Sequence, residues 1–114
     1  MTHNLVAHYV ALHNLRDEKA LNYLIAHFYE QVAGKVHSML PDYPYADTIV
    51  HDSFMKVWHS GRSFDNPNHY ITYVKRTAHN MCVNLAEKWD IEKKHQKEYK
   101  RFKFSENPET DSAM

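Results

Sequence analysis

Cysteine is nearly absent from this chain: Cys82 stands alone. No internal disulfide can form, which excludes a secreted scaffold held by a cystine framework. Glycine occurs twice and proline four times, and Pro41, Pro44 and Pro67 mark off one central stretch. So few turn-formers in 114 residues leave long uninterrupted segments, which argues against many short strands and for helices. Apolar runs fall far short of the roughly 18 residues that span a bilayer. A basic start followed by an apolar run and a small-residue cleavage site is also missing. These absences predict a reduced, cytoplasmic protein without a membrane segment. Repeats and low-complexity tracts are lacking too, and the length suits a single core.

What is present is helical periodicity. Leu5, Val6, Tyr9, Val10 and Leu12 have helical spacing, and Asp17 reads as the N-cap of a longer helix. That helix carries Ala20, Leu21, Leu24, Ile25, Phe28, Val32, Val36 and Met39 as its apolar stripe and stops before Pro41. A third helix is predicted from about Ala46 to Ser60. The segment GRSFDNPNHY, residues 61–70, collects Gly, Asp, Asn and Pro as a loop does, with Asn66 a cap and Pro67 the first helical position. A fourth helix then runs to about Trp89, and IEKKHQKEYKRFK extends it as a charged helix. The expected fold is all-α, a compact bundle of about four helices whose apolar faces pack on one another. Residues 1–90 form its domain, and residues 91–114 form a charged extension ending in a disordered acidic tail or linker.

Net charge is zero, yet it is unevenly spread: −2 over residues 1–69, +5 over 70–104 and −3 over 105–114. A basic segment between acidic ends suits a polyanion partner, although a solvated lysine-rich helix is the more frequent cause of such a pattern.

At about 100° per residue the third helix places Ala46, Ile49, Val50, Ser53, Phe54, Val57 and Trp58 on one side. Thr48, His51, Asp52 and Met55 fall opposite. On the fourth helix Ile71, Val74, Ala78, Met81, Cys82, Leu85 and Trp89 make the apolar side, facing away from Tyr73, Arg76, Thr77, Asn80, Asn84 and Glu87. Two asparagines four apart are poor helix formers that add no charge, so a merely solvated face gains little from them. Their amides can donate and accept at once, which suits base edges.

The stretch YADTIVHDSFMKVWHSGRSFDNPNHYITYVKRTAHNMCVNLAEKW resembles region two of the extracytoplasmic-function (ECF) sigma factors, bacterial transcription initiation factors. The ordered series Ala46, Ile49, Val50, Asp52, Phe54, Lys56, Trp58, Phe64, Tyr73, Ala78, Asn80 and Asn84 carries the resemblance. DEKALNYLIAHFYEQVAGKVHSML resembles the family's opening helix, so residues 6 to 89 are covered. The resemblance implies docking on the clamp helices of the β′ subunit of core RNA polymerase through Asp47, Thr48, His51, Asp52 and Met55. Asp52 would then meet a partner arginine in a charge-assisted pair. It also implies that the non-template strand of the minus-ten promoter element is captured by a loop and the helix after it. Phe64 and His69 are the candidates for stacking, and Asp65, Asn66 and Asn68 for hydrogen bonds. Phe64 equally suits a core cover, and Asn66 a cap alone. Tyr73, His79, Asn80 and Asn84 would line the strand, with Lys75, Arg76 and Lys88 on phosphates.

Four positions depart from the family pattern. Thr48 replaces an acid, His51 a glutamine, His79 an arginine, and Glu87 stands where many members have arginine. An anti-sigma factor is a further partner that the family implies. Members normally carry a second, helix-turn-helix domain, and SENPETDSAM resembles the acidic linker that leads to it. A piece of a longer initiation factor is therefore expected. The alternatives are a standalone sigma-like regulator that competes for polymerase and a helical interaction module without DNA binding.

No metal, cofactor or catalytic site is expected. The ten histidines include no pair three or four apart, Cys82 has no thiol neighbour, and the histidines read as scattered over the surface. Neither a glycine-rich phosphate loop nor a Ser-His-Asp or Cys-His grouping is evident, so an enzyme is not expected.

Overall fold

A computed structural model describes the backbone of residues 2–106 and the side chains of residues 5–88. Four helices follow one another: α1 (Thr2–Asn14), α2 (Glu18–Met39), α3 (Ala46–His59) and α4 (Pro67–Glu106). No strand occurs among the described residues, and the architecture is the all-α bundle that the periodicity predicts. The chain divides into two compact units, residues 1–83 and 84–114. The first holds α1 to α3 and the opening turns of α4; in the second, residues 84–106 are helical. That helix includes Phe104, Ser105 and Glu106, so it reaches into the expected polar tail, whose remaining residues 107–114 lie outside the described ones. No described helix is long and apolar enough to cross a membrane.

Several helix ends of the first unit have a local cause. Asp17 has extended backbone angles (φ −84°, ψ 113°), and its carboxylate accepts the Lys19 N–H at 2.9 Å, satisfying one of the donors left over at the start of α2. Asn66 does the same for α4: its Oδ1 accepts the His69 N–H at 2.8 Å. The His69 side chain reaches back past the cap, its Nδ1 accepting the Asp65 N–H at 3.1 Å, so two backbone donors at the helix start are satisfied. After α3 the chain turns at Gly61, whose φ of +70° is the left-handed conformation a helix exit favours and a side chain would strain.

Packing follows the apolar stripes. α2 packs against both α1 and α3, and Leu24, Val32, Val36, Val50, Phe54, Tyr70, Val74, Ala78 and Cys82 are at the centre of the core. The stripes of α2 and α3 lie where the spacing puts them, apart from Ile25 and Met39, which are half-buried.

Helix α1 differs. Its buried line is Val6, Val10 and His13, at steps of four and three, whereas Leu5 lies off that line and is 46% exposed. His13 is only 1% exposed, so it does not belong among the surface histidines. It occupies an aromatic chamber, with ring centroids 5.0 Å from Trp58, 5.0 Å from Tyr70 and 6.2 Å from Phe64.

Candidate functional site

The turn after α1 and the loop before α4 are built as one piece. Asn14, at the end of α1, uses both ends of its amide on Phe64: Nδ2 donates to the Phe64 carbonyl at 2.8 Å, and Oδ1 accepts the Phe64 N–H at 2.9 Å. The Phe64 ring is thereby pinned inward, 3% exposed, with His69, Tyr70 and Tyr73 around it at centroid distances of 5.2, 5.3 and 5.5 Å. Of the two roles open to Phe64, the structure gives it the core cover; its ring is not offered to solvent as a stacking surface. Asn66 is a cap, and its Oδ1 is spent on the His69 N–H. Asp65 and His69 are both exposed, with His69 Nδ1 3.7 Å from an Asp65 oxygen.

Beyond the loop, the strand-binding candidates do not form one surface. His69, Tyr73, Thr77 and Asn80 recur at three- and four-residue steps along one side of α4, where Asn80 is exposed and Tyr73 half-buried. The Arg62 guanidinium lies 4.8 Å from the centre of the Tyr73 ring, adding a cation to that side. Lys75 and His79 point elsewhere. They line a cleft of about 520 Å³ with Arg76 and with Gln31 and Lys35 of α2. Asn68 lines a second, smaller cleft of about 290 Å³ beside Val6, His27, Phe28, Gln31, Pro67 and Ile71. Asn84 and Lys88 are exposed and belong to the second unit.

The polar stripe of α3 is a surface. Asp47, Thr48, His51 and Asp52 are exposed and Met55 is half-buried, opposite the core residues Ile49, Val50, Ser53, Phe54 and Val57. Asp47 is tied to α2, its Oδ1 accepting the Tyr29 hydroxyl at 2.9 Å. Burial and the Asp47 carboxylate raise the Tyr29 pKa, so the hydroxyl stays protonated as the donor. Asp52 has His51 Nδ1 4.0 Å away and no lysine or arginine within ion-pair reach among the described residues.

Sequence reasoning missed Asn14, Arg62, Gln31 and Lys35. Only the last two left a local signal: they are polar, four apart, and each stands one place ahead of a core valine, Val32 and Val36.

A comparison with family models matches residues 24–90 to sigma-70 region 2. The chain belongs to that family. No curated protein and no solved structure gives a match. The match spans the whole of α3, the 61–66 loop and the start of α4, the elements that carry the polar stripe and the capped loop. Region 2 is a transcription-factor domain, and membership implies a sigma-factor-like role in binding RNA polymerase and recognising promoters.

Proposed function

We propose that this chain is the region-two domain of an ECF-type sigma factor. It docks on the β′ clamp helices of core RNA polymerase through Asp47, Thr48, His51, Asp52 and Met55. The non-template strand of the minus-ten element then passes over the 64–69 loop and the side of α4 that bears His69, Tyr73 and Asn80. The observation that carries this reading is the α3 stripe: an exposed carboxylate with His51 beside it and no lysine or arginine in ion-pair reach among the described residues, on a helix whose other side is committed to the core. A free Asp52 suits an arginine of a partner, and a rigid helix supplies the register.

The loop's part is indirect. Phe64 supports it from beneath, leaving Asp65, the Asn66 amide nitrogen, Asn68 and His69 to meet a base. Burial of Phe64 also favours a second reading, a polymerase-binding regulator that holds no DNA. Salt-dependent binding of a minus-ten single strand by the polymerase-bound protein separates the two.

The test of the dock is binding of the purified chain to a β′ clamp-helix fragment, wild type against Asp52→Arg. Reversing a charge that faces a desolvated arginine costs about 2–5 kcal/mol, thirtyfold or more in affinity. Equal binding by both proteins would remove the α3 stripe from the interface.

A further inference from the structure

The cleft between α2 and α4 has an electrostatic oddity. Gln31 and Lys35, one turn apart on α2, face Lys75, Arg76 and His79 of α4 across it. Two lysines and an arginine line one concavity. None has a carboxylate within ion-pair distance among the described residues, where the ion pairs are His51 with Asp52 and His69 with Asp65. Lys35 and Lys75 are half-buried, so their stems lie against protein and hold the ammonium groups near the cleft. Lys35 also lies close enough to Cys82 to lower its thiol's pKa, partly opposing the burial that raises it.

Like charges gathered at a partly desolvated surface repel, and a bound anion removes that cost. A phosphate diester suits that role, offering acceptor oxygens on several sides to two ammonium groups and a guanidinium fork. Gln31 lines both this cleft and the smaller one, where it stands with His27, Phe28, Pro67, Asn68 and Ile71. A charged seat adjoining a slot that offers both rings and amides suits a chain of alternating phosphates and bases.

We infer that the α2–α4 cleft is a phosphate seat for the backbone of a nucleic-acid strand, with Lys35 of α2 a contact that works together with Lys75 and Arg76. The inference rests on the nucleic-acid part of the function proposed above and deepens it: α2 as well as α4 holds the strand, and the hold here is blind to sequence. Gln31 adds a neutral donor beside the cations.

Fluorescence anisotropy of a labelled 15-residue oligothymidylate with the full chain, over a salt series, reads this directly. Lys35→Ala and Lys35→Gln should each weaken binding about three- to tenfold and flatten the slope of log K against log salt by about 0.7, the share of one phosphate on a single strand. Lys19→Ala, on the same helix but away from the cleft, should change neither. Wild-type affinity and slope in both Lys35 variants would overturn the seat while leaving DNA binding in place. If the free wild type binds no oligonucleotide, the salt series is repeated with the polymerase-bound protein, and no binding there makes the DNA part of the proposed function fail instead. The cleft is then judged by NMR titration with inorganic pyrophosphate: saturable shifts at Gln31, Lys35 and His79 uphold a phosphate seat, and their absence overturns it.

Discussion

His13 and Tyr70 meet edge to face, ring centroids 5.0 Å apart, and neither imidazole nitrogen nor the tyrosine hydroxyl has a hydrogen-bond partner. Both side chains are fully buried, beneath the loop that Phe64 anchors. A buried polar atom left unpaired costs about 1–3 kcal/mol. The core under the candidate DNA-binding loop is therefore held by aromatic packing at the expense of polar satisfaction.

That arrangement makes stability depend on pH. Burial, with a smaller contribution from the nearby Arg16 charge, lowers the His13 pKa from 6.5 to about 4. The folded state thus binds fewer protons than the unfolded chain between these values. Its stabilisation is complete above pH 6.5 and is lost as pH falls toward 4, by up to about 3 kcal/mol. Urea unfolding from pH 7.5 to 4 should show this decline in the wild type and a shallower one in His13→Phe, which fills the same chamber with a ring that cannot charge. Parallel curves for the two proteins would place the acid sensitivity in other groups.

How far such features can be read from sequence depends on how local their cause is. Asp17 and Asn66 cap helices through bonds to the N–H groups of Lys19 and His69, two and three residues on, so residue type and position reveal them. The α3 stripe follows from period alone. Burial of His13 does not: a histidine near the end of an amphipathic helix looks solvated until Trp58, Phe64 and Tyr70 are known to surround it. Likewise the grip of Asn14 on Phe64 spans 50 positions, and the grouping of Lys35 with Lys75 requires the packing of α2 and α4. Long-range pairing leaves no periodic trace.

The grip of Asn14 on Phe64 can be broken in two distinguishable ways. Asn14→Ala removes both bonds and leaves the Phe64 N–H and C=O short of partners, at a cost of about 1–3 kcal/mol in chemical denaturation. Asn14→Asp keeps an acceptor for the N–H but sets a carboxylate oxygen against the Phe64 carbonyl. It should destabilise at least as much as alanine at pH 7. A neutral effect of either change would mean that packing of the Phe64 ring alone fixes the loop.

Arg16 joins the α1–α2 turn to the end of α3. Its guanidinium lies 3.8 Å from the centre of the Trp58 ring, and its Nη1 donates to the Trp58 carbonyl, one of the acceptors left over at a helix C-terminus. The backbone at Arg16 has a φ of +67°, which a glycine would adopt without strain. Two changes therefore separate the effects. Arg16→Ala should lose about 1–2 kcal/mol, while Arg16→Gly should recover part of that through the backbone. Thermal unfolding of the two variants checks the order, and alanine at least as stable as glycine would remove backbone strain from the account.

Asn66 sits where capping and base contact would coincide, and the two roles part under substitution. Its Oδ1 is engaged with the His69 N–H, so Asn66→Ala should cost about 1 kcal/mol of stability through loss of the cap. Asn66→Ser keeps an oxygen able to cap but removes the amide nitrogen, the only part of the side chain able to donate to a base. Serine should therefore restore most of the stability without restoring strand binding, if the amide reads a base. Unfolding and minus-ten oligonucleotide binding by the polymerase-bound protein, measured on both variants, decide between the roles. Serine with wild-type stability and wild-type binding would leave Asn66 a cap alone, and strand recognition would then fall to Asp65, Asn68 and His69 on the loop and to Tyr73 and Asn80 on α4.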